Sequence, residues 1–386
     1  MSLLDRYEEA ASDWLARVRT LTPIVAQHRQ AIEAERKLPA PLFLAMHDAG
    51  LFRMWLPTRF GGCEVDLVTT RLAIEAAARL DGSVGWYVSI LNESAALAAY
   101  LPDAGAREIY ADPNTVVAGA GFPPGQAVVV EGGYRVSGEW ALASGSPHAG
   151  WLFGGAFIID ADQSQTEAGH AAEAYVFPMP ASQCTVLDTW FSTGLRGSGS
   201  HHFKAENVFV PAHLRASMTS GRQIAGSIYP EVYVRMLSPN HAAVGLGVAL
   251  GALDAFKDLA RTKPGSRGQP PIGEQQTVHA LIGRSEVRLT AARLSLHEAS
   301  ADTDDELRTT GDISEERFLL NRLTGAHVAA EATDVVSQLY TAAGSSAVYQ
   351  SNRLDRALRD VHTVNQHVST SPANFAHAGR HLLNGG

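Results

Sequence analysis

The chain has 386 residues, more than one ordinary hydrophobic core holds, so two or three substructures sharing an interface are expected. Hydrophobic residues make up 45% and charged residues 18%, which speaks against a disordered chain. The formal charge is −9 and no Lys/Arg cluster stands out, which speaks against nucleic acid and anionic membrane as partners. Cys63 and Cys184 are isolated and lack metal-ligand spacing, so buried thiols in a reducing cytoplasm are expected, with no metal site. The first residues read as a charged amphipathic helix, not a signal peptide, and no apolar run approaches the roughly 20 residues that span a bilayer. A soluble cytoplasmic protein is expected.

From Leu3 to about Leu101 apolar residues recur at helical spacing, as in Leu15, Val18, Leu21 and Val25. Pro39 and Pro41 open a helix that Gly50 ends, and residues 56–62 are rich in turn formers. From Val116 to Ala216 the period changes to two, and strands are predicted over 116–121, 126–140, 151–159, 174–179 and 202–211. Gly132-Gly133 reads as a hairpin turn, and residues 161–173 as a mobile polar surface loop. Helices return from about Tyr233. A small-residue-rich helix over 241–260 is suited to close packing, and helices over 277–301 and 314–342 form an antiparallel hairpin. The segment 302–312 between them is expected to be charged and exposed. This order predicts an α+β protein in three parts, 1–115, 116–216 and 217–386, with a cofactor crevice where they meet.

Several stretches carry a resemblance. They are Pro57 with Phe60-Gly61-Gly62, Tyr134-Arg135-Val136-Ser137-Gly138-Glu139-Trp140 with Ala143-Ser144-Gly145, and Arg353 and Arg356 with Arg359-Asp360. In this order they resemble the acyl-CoA dehydrogenase superfamily along nearly the whole chain. The resemblance implies an N-terminal helical domain, a central β domain and a C-terminal four-helix bundle. The closer resemblance is to the flavin monooxygenase branch, through Asp81-Gly82-Ser83-Val84-Gly85-Trp86, Ser144-Gly145-Ser146 with His148, and residues 354–367. Members of that branch take reduced FMN or FAD from a separate flavin reductase. They react it with molecular oxygen through a C4a-hydroperoxyflavin to oxygenate a small molecule.

Acyl-CoA dehydrogenation needs a carboxylate base. Aligning Arg359-Asp360 with the family places Val368 on that base position, and residues 361–386 contain no Asp or Glu. Glu231 is the residual acid for a relocated base. His367 instead matches the terminal His of the monooxygenase pattern, where an imidazole able to exchange a proton near neutral pH and the Ser144 hydroxyl would keep a peroxide protonated and shielded. The bland reading of His367 is a helix-end hydrogen bond.

The resemblance further implies that Trp86 walls the pocket, though a core role is equally natural. Gly121, Ala143, Ser144 and Gly145 would lie along the flavin. Arg261 and Arg267 would hold its phosphate across a subunit boundary, or simply be an exposed basic loop. Gly344 and Ser345 would meet that phosphate end in a neighbouring copy, and Asp360 completes the expected cofactor contacts. Such sharing implies a homo-oligomer, commonly a tetramer. Where phenol hydroxylases of this branch have a His after the Trp, this chain has Asn92-Glu93-Ser94, which puts the usual phenol-activating set in doubt. Asn92, Ser94, Tyr233 and His241 remain candidate substrate contacts. The rival expectations are an acyl-CoA dehydrogenase-like desaturase and a flavin-free scaffold of the same fold.

Overall fold

The computed structural model describes residues 2–159, 174–217, 219, 221–224, 228–265, 268 and 270–384. The predicted mobile loop over 161–173 lies outside them, as does Arg267. The N-terminal helices are α1 (Leu3–Ala10), α2 (Ser12–Thr20), α3 (Thr22–Glu35), α4 (Ala40–Asp48), α5 (Leu67–Leu80), α6 (Gly82–Ala96) and α7 (Asp103–Ile109). Strands β1 (Val117–Val130), β2 (Gly133–Ala143), β3 (Trp151–Ile159), β4 (Ala174–Pro180), β5 (Thr185–Leu187), β6 (His201–Pro211) and β7 (Ala216–Ser217) follow. The chain then returns to helix in α8 (Ser238–Thr262), α9 (Gln276–Thr310), α10 (Glu315–Ala343), α11 (Arg353–Val364) and α12 (Ala373–Leu383). The fold is therefore α+β, with helical parts on either side of one sheet in the sequence.

The strands form a single sheet in the order β5-β6-β2-β1-β3-β4-β7. Strands β1 and β2 pair antiparallel, with Val130 opposite Gly133. The hairpin turn is thus Glu131-Gly132, one residue earlier than the sequence suggested, and Gly133 is already paired. Strand β1 runs parallel to β3, and its register slips between Ala120 and Gly125. Pro123 and Pro124 lie in the slip, where a proline cannot donate to a ladder. The glycine-rich run read as strand and turn is thereby one long irregular strand.

Helix α8 packs against α9, α10 and α11 to make the C-terminal bundle, and also lies along α5 and α6. Its small residues are what allow this. A Cβ on Gly247 would run into the Glu75 carbonyl oxygen of α5. Helix α9 extends to Thr310, so most of the segment expected as an exposed connection is helical. Tertiary bonds explain the extension. Asp304 accepts the Leu67 and Val68 N–H groups at the start of α5, at 2.9 and 3.1 Å. Arg317 of α10 reaches back to Asp302 and Glu306. The helix start of α5 is thus capped by a carboxylate from another helix, in addition to its own Asp66.

Both thiols depart from the expectation of burial: Cys63 is exposed and Cys184 half-buried. Cys63 follows the tight turn at Gly61-Gly62, where its N–H is held by the Arg53 carbonyl at 3.0 Å. Among the described residues, no helix is long and apolar enough to cross a membrane.

Candidate active site

Three elements bring aromatic rings together. Helix α6 starts at an Asp81 cap, whose carboxylate accepts the Ser83 N–H at 3.0 Å and the Arg356 guanidinium at 2.7 Å. One turn on, Trp86 directs its indole N–H to the Ser144 hydroxyl at 2.9 Å. Ser144 follows the last residue of β2, and Gly145 then turns the chain with φ of 80°, a conformation a side chain disfavours. The Ser144 hydroxyl continues to Ser200 at 2.7 Å and on to Ser198 at 2.6 Å, a buried chain of three hydroxyls.

His241 of α8 and His367, just after α11, stack face to face with ring centroids 3.7 Å apart and planes 12° from parallel. Trp86 lies beside both, 5.1 Å from His241 and 6.1 Å from His367. The His367 Nδ1 receives the Ser369 N–H at 3.3 Å and stands 2.8 Å from the Ser369 hydroxyl. That arrangement makes Nδ1 the acceptor and leaves the ring proton on Nε2. Burial pushes the His367 pKa down to about 4, so the ring is neutral at physiological pH. His241 is 1% exposed, and burial followed by the neighbouring His367 holds its pKa well below the usual value. Neither nitrogen of His241 has a hydrogen-bond partner among the described residues.

Sequence reasoning passed over Glu93. It lies two turns beyond Trp86 on α6, is 6% exposed, and sits 3.8 Å from the His241 Nε2. Its carboxylate accepts from Asn240 at 2.9 Å and from Ser89 at 3.1 Å, and burial raises its pKa to about 7. Behind it, the fully buried Arg71 bonds Asn240 at 3.0 Å and the Met236 carbonyl at 2.9 Å. The available signal was an acid inside an otherwise apolar helix, since a buried carboxylate persists only where partners are built for it.

Other expected residues divide into three groups. Asn92 is fully buried and its amide is committed to backbone: it accepts from Trp55 and donates to Leu51 and Val88. Ser94 bonds the Ile90 carbonyl one turn back, and the Tyr233 hydroxyl donates to the Glu93 carbonyl at 2.6 Å. All three polar groups thus hold hydrogen bonds within the chain, which gives each a structural role beside the expected one. Ala143 adjoins Ser144 at the cluster, while Gly121 lies farther along β1. Asp360 is buried apart from the rings and accepts the Leu195 N–H at 2.6 Å; burial and the nearby Asp81 raise its pKa to about 8. Arg261, paired with Asp258, is exposed at one end of the bundle. Gly344 and Ser345 are exposed just after α10, whose Ala343 carbonyl takes the Lys263 ammonium. His148 joins none of these groups: it stacks on Phe43 at 4.2 Å and meets the Tyr87 hydroxyl at 3.0 Å.

A cleft of about 610 Å3 lies elsewhere, lined by Arg29, Glu33, Arg196, Arg353 and Arg356 among others. Arg196, Arg356 and the adjacent Arg359 are paired with Glu33, so this cleft offers less free charge than its arginines suggest. The ring cluster is therefore the candidate site. A flat redox cofactor fits what stands there: an aromatic wall, a glycine turn, an N–H on His367 without an acid beside it, and a buried imidazole lacking partners.

Residues 9–109 match the family model of the acyl-CoA dehydrogenase N-terminal domain, and residues 240–372 that of the acyl-CoA dehydrogenase C-terminal domain. The chain belongs to the acyl-CoA dehydrogenase family. It is 28% identical to the flavin-dependent monooxygenase, oxygenase subunit HsaA, of Mycobacterium tuberculosis, covering 94% of this chain and 93% of that protein. It is 27% identical to the indole-3-acetate monooxygenase of Pseudomonas putida, covering 90% of this chain and 87% of that one. The structure of XiaF from a Streptomyces species, in complex with FADH2 and glycerol, aligns with a TM-score of 0.89 at 24% identity, covering 100% of this chain and 98% of that chain. Within the acyl-CoA dehydrogenase family, position 368 is where the dehydrogenase base was expected. Here it carries Val368, 66% exposed, beside the neutral His367. Glu231, the residual acid, is half exposed and paired with Arg222 at 2.9 Å.

Proposed function

We propose that the protein is the oxygenase component of a two-component flavin-dependent monooxygenase acting on a small aromatic substrate. The observation that carries this reading is the neutral His367, held by Ser369 and stacked on His241 beside Trp86, next to Val368 at the position where a dehydrogenase would need a carboxylate. When bound, reduced FMN or FAD supplies the electrons that activate molecular oxygen, one atom of which passes to the substrate. Trp86, Gly121, Ala143, Ser144 and Gly145 would hold the ring system. His367 offers a neutral N–H donor at Nε2, and Ser144, anchored by Trp86 and Ser200, holds a hydroxyl in place. The apolar rings around both exclude water, which protects an oxygen-reactive centre.

Arg261, Arg267, Gly344 and Ser345 would serve the phosphate end of the flavin in an adjoining copy, in a homo-oligomer read as a tetramer. Asp360 acts from behind, by fixing the Leu195 turn. A separate reductase, reached by diffusion of flavin, supplies the reduced cofactor in the cytoplasm. The relatives named as monooxygenases support this reading.

The test is titration of the protein with reduced FMN and reduced FAD under nitrogen, followed by mixing with oxygen and aromatic candidates. Tight binding of the reduced form and incorporation of labelled oxygen into product are expected. Failure to bind either reduced flavin would sink the reading, and bleaching of oxidised flavin by an acyl thioester would favour the desaturase.

A further inference from the structure

The buried group around Glu93 has more polar structure than positioning a tryptophan and a histidine requires. His241 has two ring nitrogens and, among the described residues, no hydrogen bond to either, although it is almost wholly inaccessible. A buried polar group left unpaired is costly, and in native proteins it marks a missing partner or a working residue. One nitrogen, Nε2, stands 3.8 Å from the Glu93 carboxylate, slightly beyond hydrogen-bond length. Such contacts tighten in many enzymes only when substrate is bound. The other nitrogen, Nδ1, is left for a ligand.

We propose that His241 and Glu93 form a proton-accepting pair for an aromatic substrate bearing an ionisable O–H, with His241 contacting the substrate and Glu93 receiving the proton through the imidazole. This rests on the oxygenase reading above. The transfer moves protons only. The substrate O–H bond breaks and its proton joins the His241 nitrogen that faces it. The proton on the opposite nitrogen passes to a Glu93 oxygen. A substrate anion and a neutral carboxylic acid result, and His241 ends neutral as its other tautomer. Loss of this proton makes the aromatic ring electron-rich, which is what electrophilic oxygen transfer demands.

The surroundings suit the role. Burial raises the Glu93 pKa to about 7, so its carboxylate is a stronger base than an exposed one and still ionises near neutral pH. From α5, Arg71 reaches the pair through Asn240, and it also responds to Asp304 of α9. From α6 come Ser89 and Trp86, from the turn before α8 comes Tyr233, and after α11 comes the neutral His367. The arrangement also accounts for the residue after Trp86 in this chain. The neighbourhood expected to carry a phenol-binding His is Asn92-Glu93-Ser94, and here a His comes instead from the facing helix α8.

The experiment uses the full chain with reduced flavin, oxygen and two probes that carry a phenolic O–H, p-hydroxyphenylacetate and resorcinol. Single-turnover product formation is followed from pH 5.5 to 9 in the native protein and in Glu93→Gln. The amide keeps an acceptor oxygen for Ser89 and Asn240, so the variant retains its local bonds. We expect the native transfer rate to rise with pH through a limb near pH 7, and Glu93→Gln to lose that limb and fall about tenfold or more at pH 8. Infrared difference spectra of the flavin-free chain give a second readout: a buried carboxyl band that titrates near pH 7 and is absent from the variant. An unchanged limb in Glu93→Gln, or no such band in the native chain, overturns the pair. Binding of reduced flavin with no product from any probe overturns the pair alone. No binding of reduced flavin overturns the oxygenase reading and the pair with it.

Discussion

His241 and His367 lie face to face, 3.7 Å between ring centroids, with one ring from α8 and the other from the turn after α11. Burial holds both rings neutral, and the neighbouring His367 adds to the effect on His241. In the proposed reaction His367 would act as a neutral donor.

Replacing His367 with Ala removes that donor and one face of the stack. Product formed per oxygen consumed should fall by about 100-fold, with hydrogen peroxide released in its place. The melting temperature should change little, since the ring's hydrogen bonds run to Ser369 two residues away. Peroxide assay beside product analysis checks this, and unchanged coupling would remove His367 from the mechanism.

Asn92→Ala should act on stability rather than on chemistry. It strips a partner from the Trp55 N–H and from the Leu51 carbonyl, both in a buried region. The expected loss is about 2–4 kcal/mol in chemical denaturation. A variant of native stability with altered substrate binding would restore Asn92 to the substrate site.

Glu93→Gln should stabilise the protein in a pH-dependent way. The native state holds the Glu93 proton more tightly than the unfolded state does, since the pKa rises from the model-compound value of 4.5 to about 7. That contribution is fully present below pH 4.5 and is lost as pH rises through 7. Above pH 7 the ionised group therefore costs up to ~3 kcal/mol, which the amide avoids. His367 runs the opposite way: its depressed pKa means stability is lost as pH falls from about 6.5 toward 4. Denaturant titrations of native and Glu93→Gln protein at pH 5 and pH 8 should diverge only at the higher pH.

Gly247→Ala should destabilise by about 1–3 kcal/mol, because the added methyl meets the α5 backbone at Glu75 and α8 must move away. Gly283→Ala on α9 is the contrasting change, since a Cβ there meets nothing within 4 Å. It should stabilise by about 0.5–1 kcal/mol through helix propensity alone. Equal effects from the two changes would contradict the close α5–α8 approach.

Local pattern made much of the fold legible. The helical spacing before Leu101, the period-two stretches between Val116 and Ala216 and the small-residue run of α8 each report a face, and faces follow from residues a few positions apart. Errors arose where distant partners decide. Helix α9 continues to Thr310 because Asp304 caps α5 and Arg317 holds Asp302, and neither bond shows in the spacing of α9 itself. The same limit governs the site. His367 and Ser144 were nameable from their motifs, but nothing in the spacing of α6 showed that Glu93 lies against His241 or that the Asn92 amide bonds the backbone.

What the sequence determined by itself was the order of elements, the absence of an acid at position 368 and after, and the presence of His367 beyond Arg359-Asp360. Tertiary structure alone decided that His241 meets His367, that Trp86 holds Ser144, and that Glu93 lies behind them. The physical reason is that helix and strand periodicity arise from neighbours along the chain, whereas an active site is made by α6, α8 and the turn after α11 meeting across a core. Burial there sets the protonation of each ring, and burial is a property of the packed molecule.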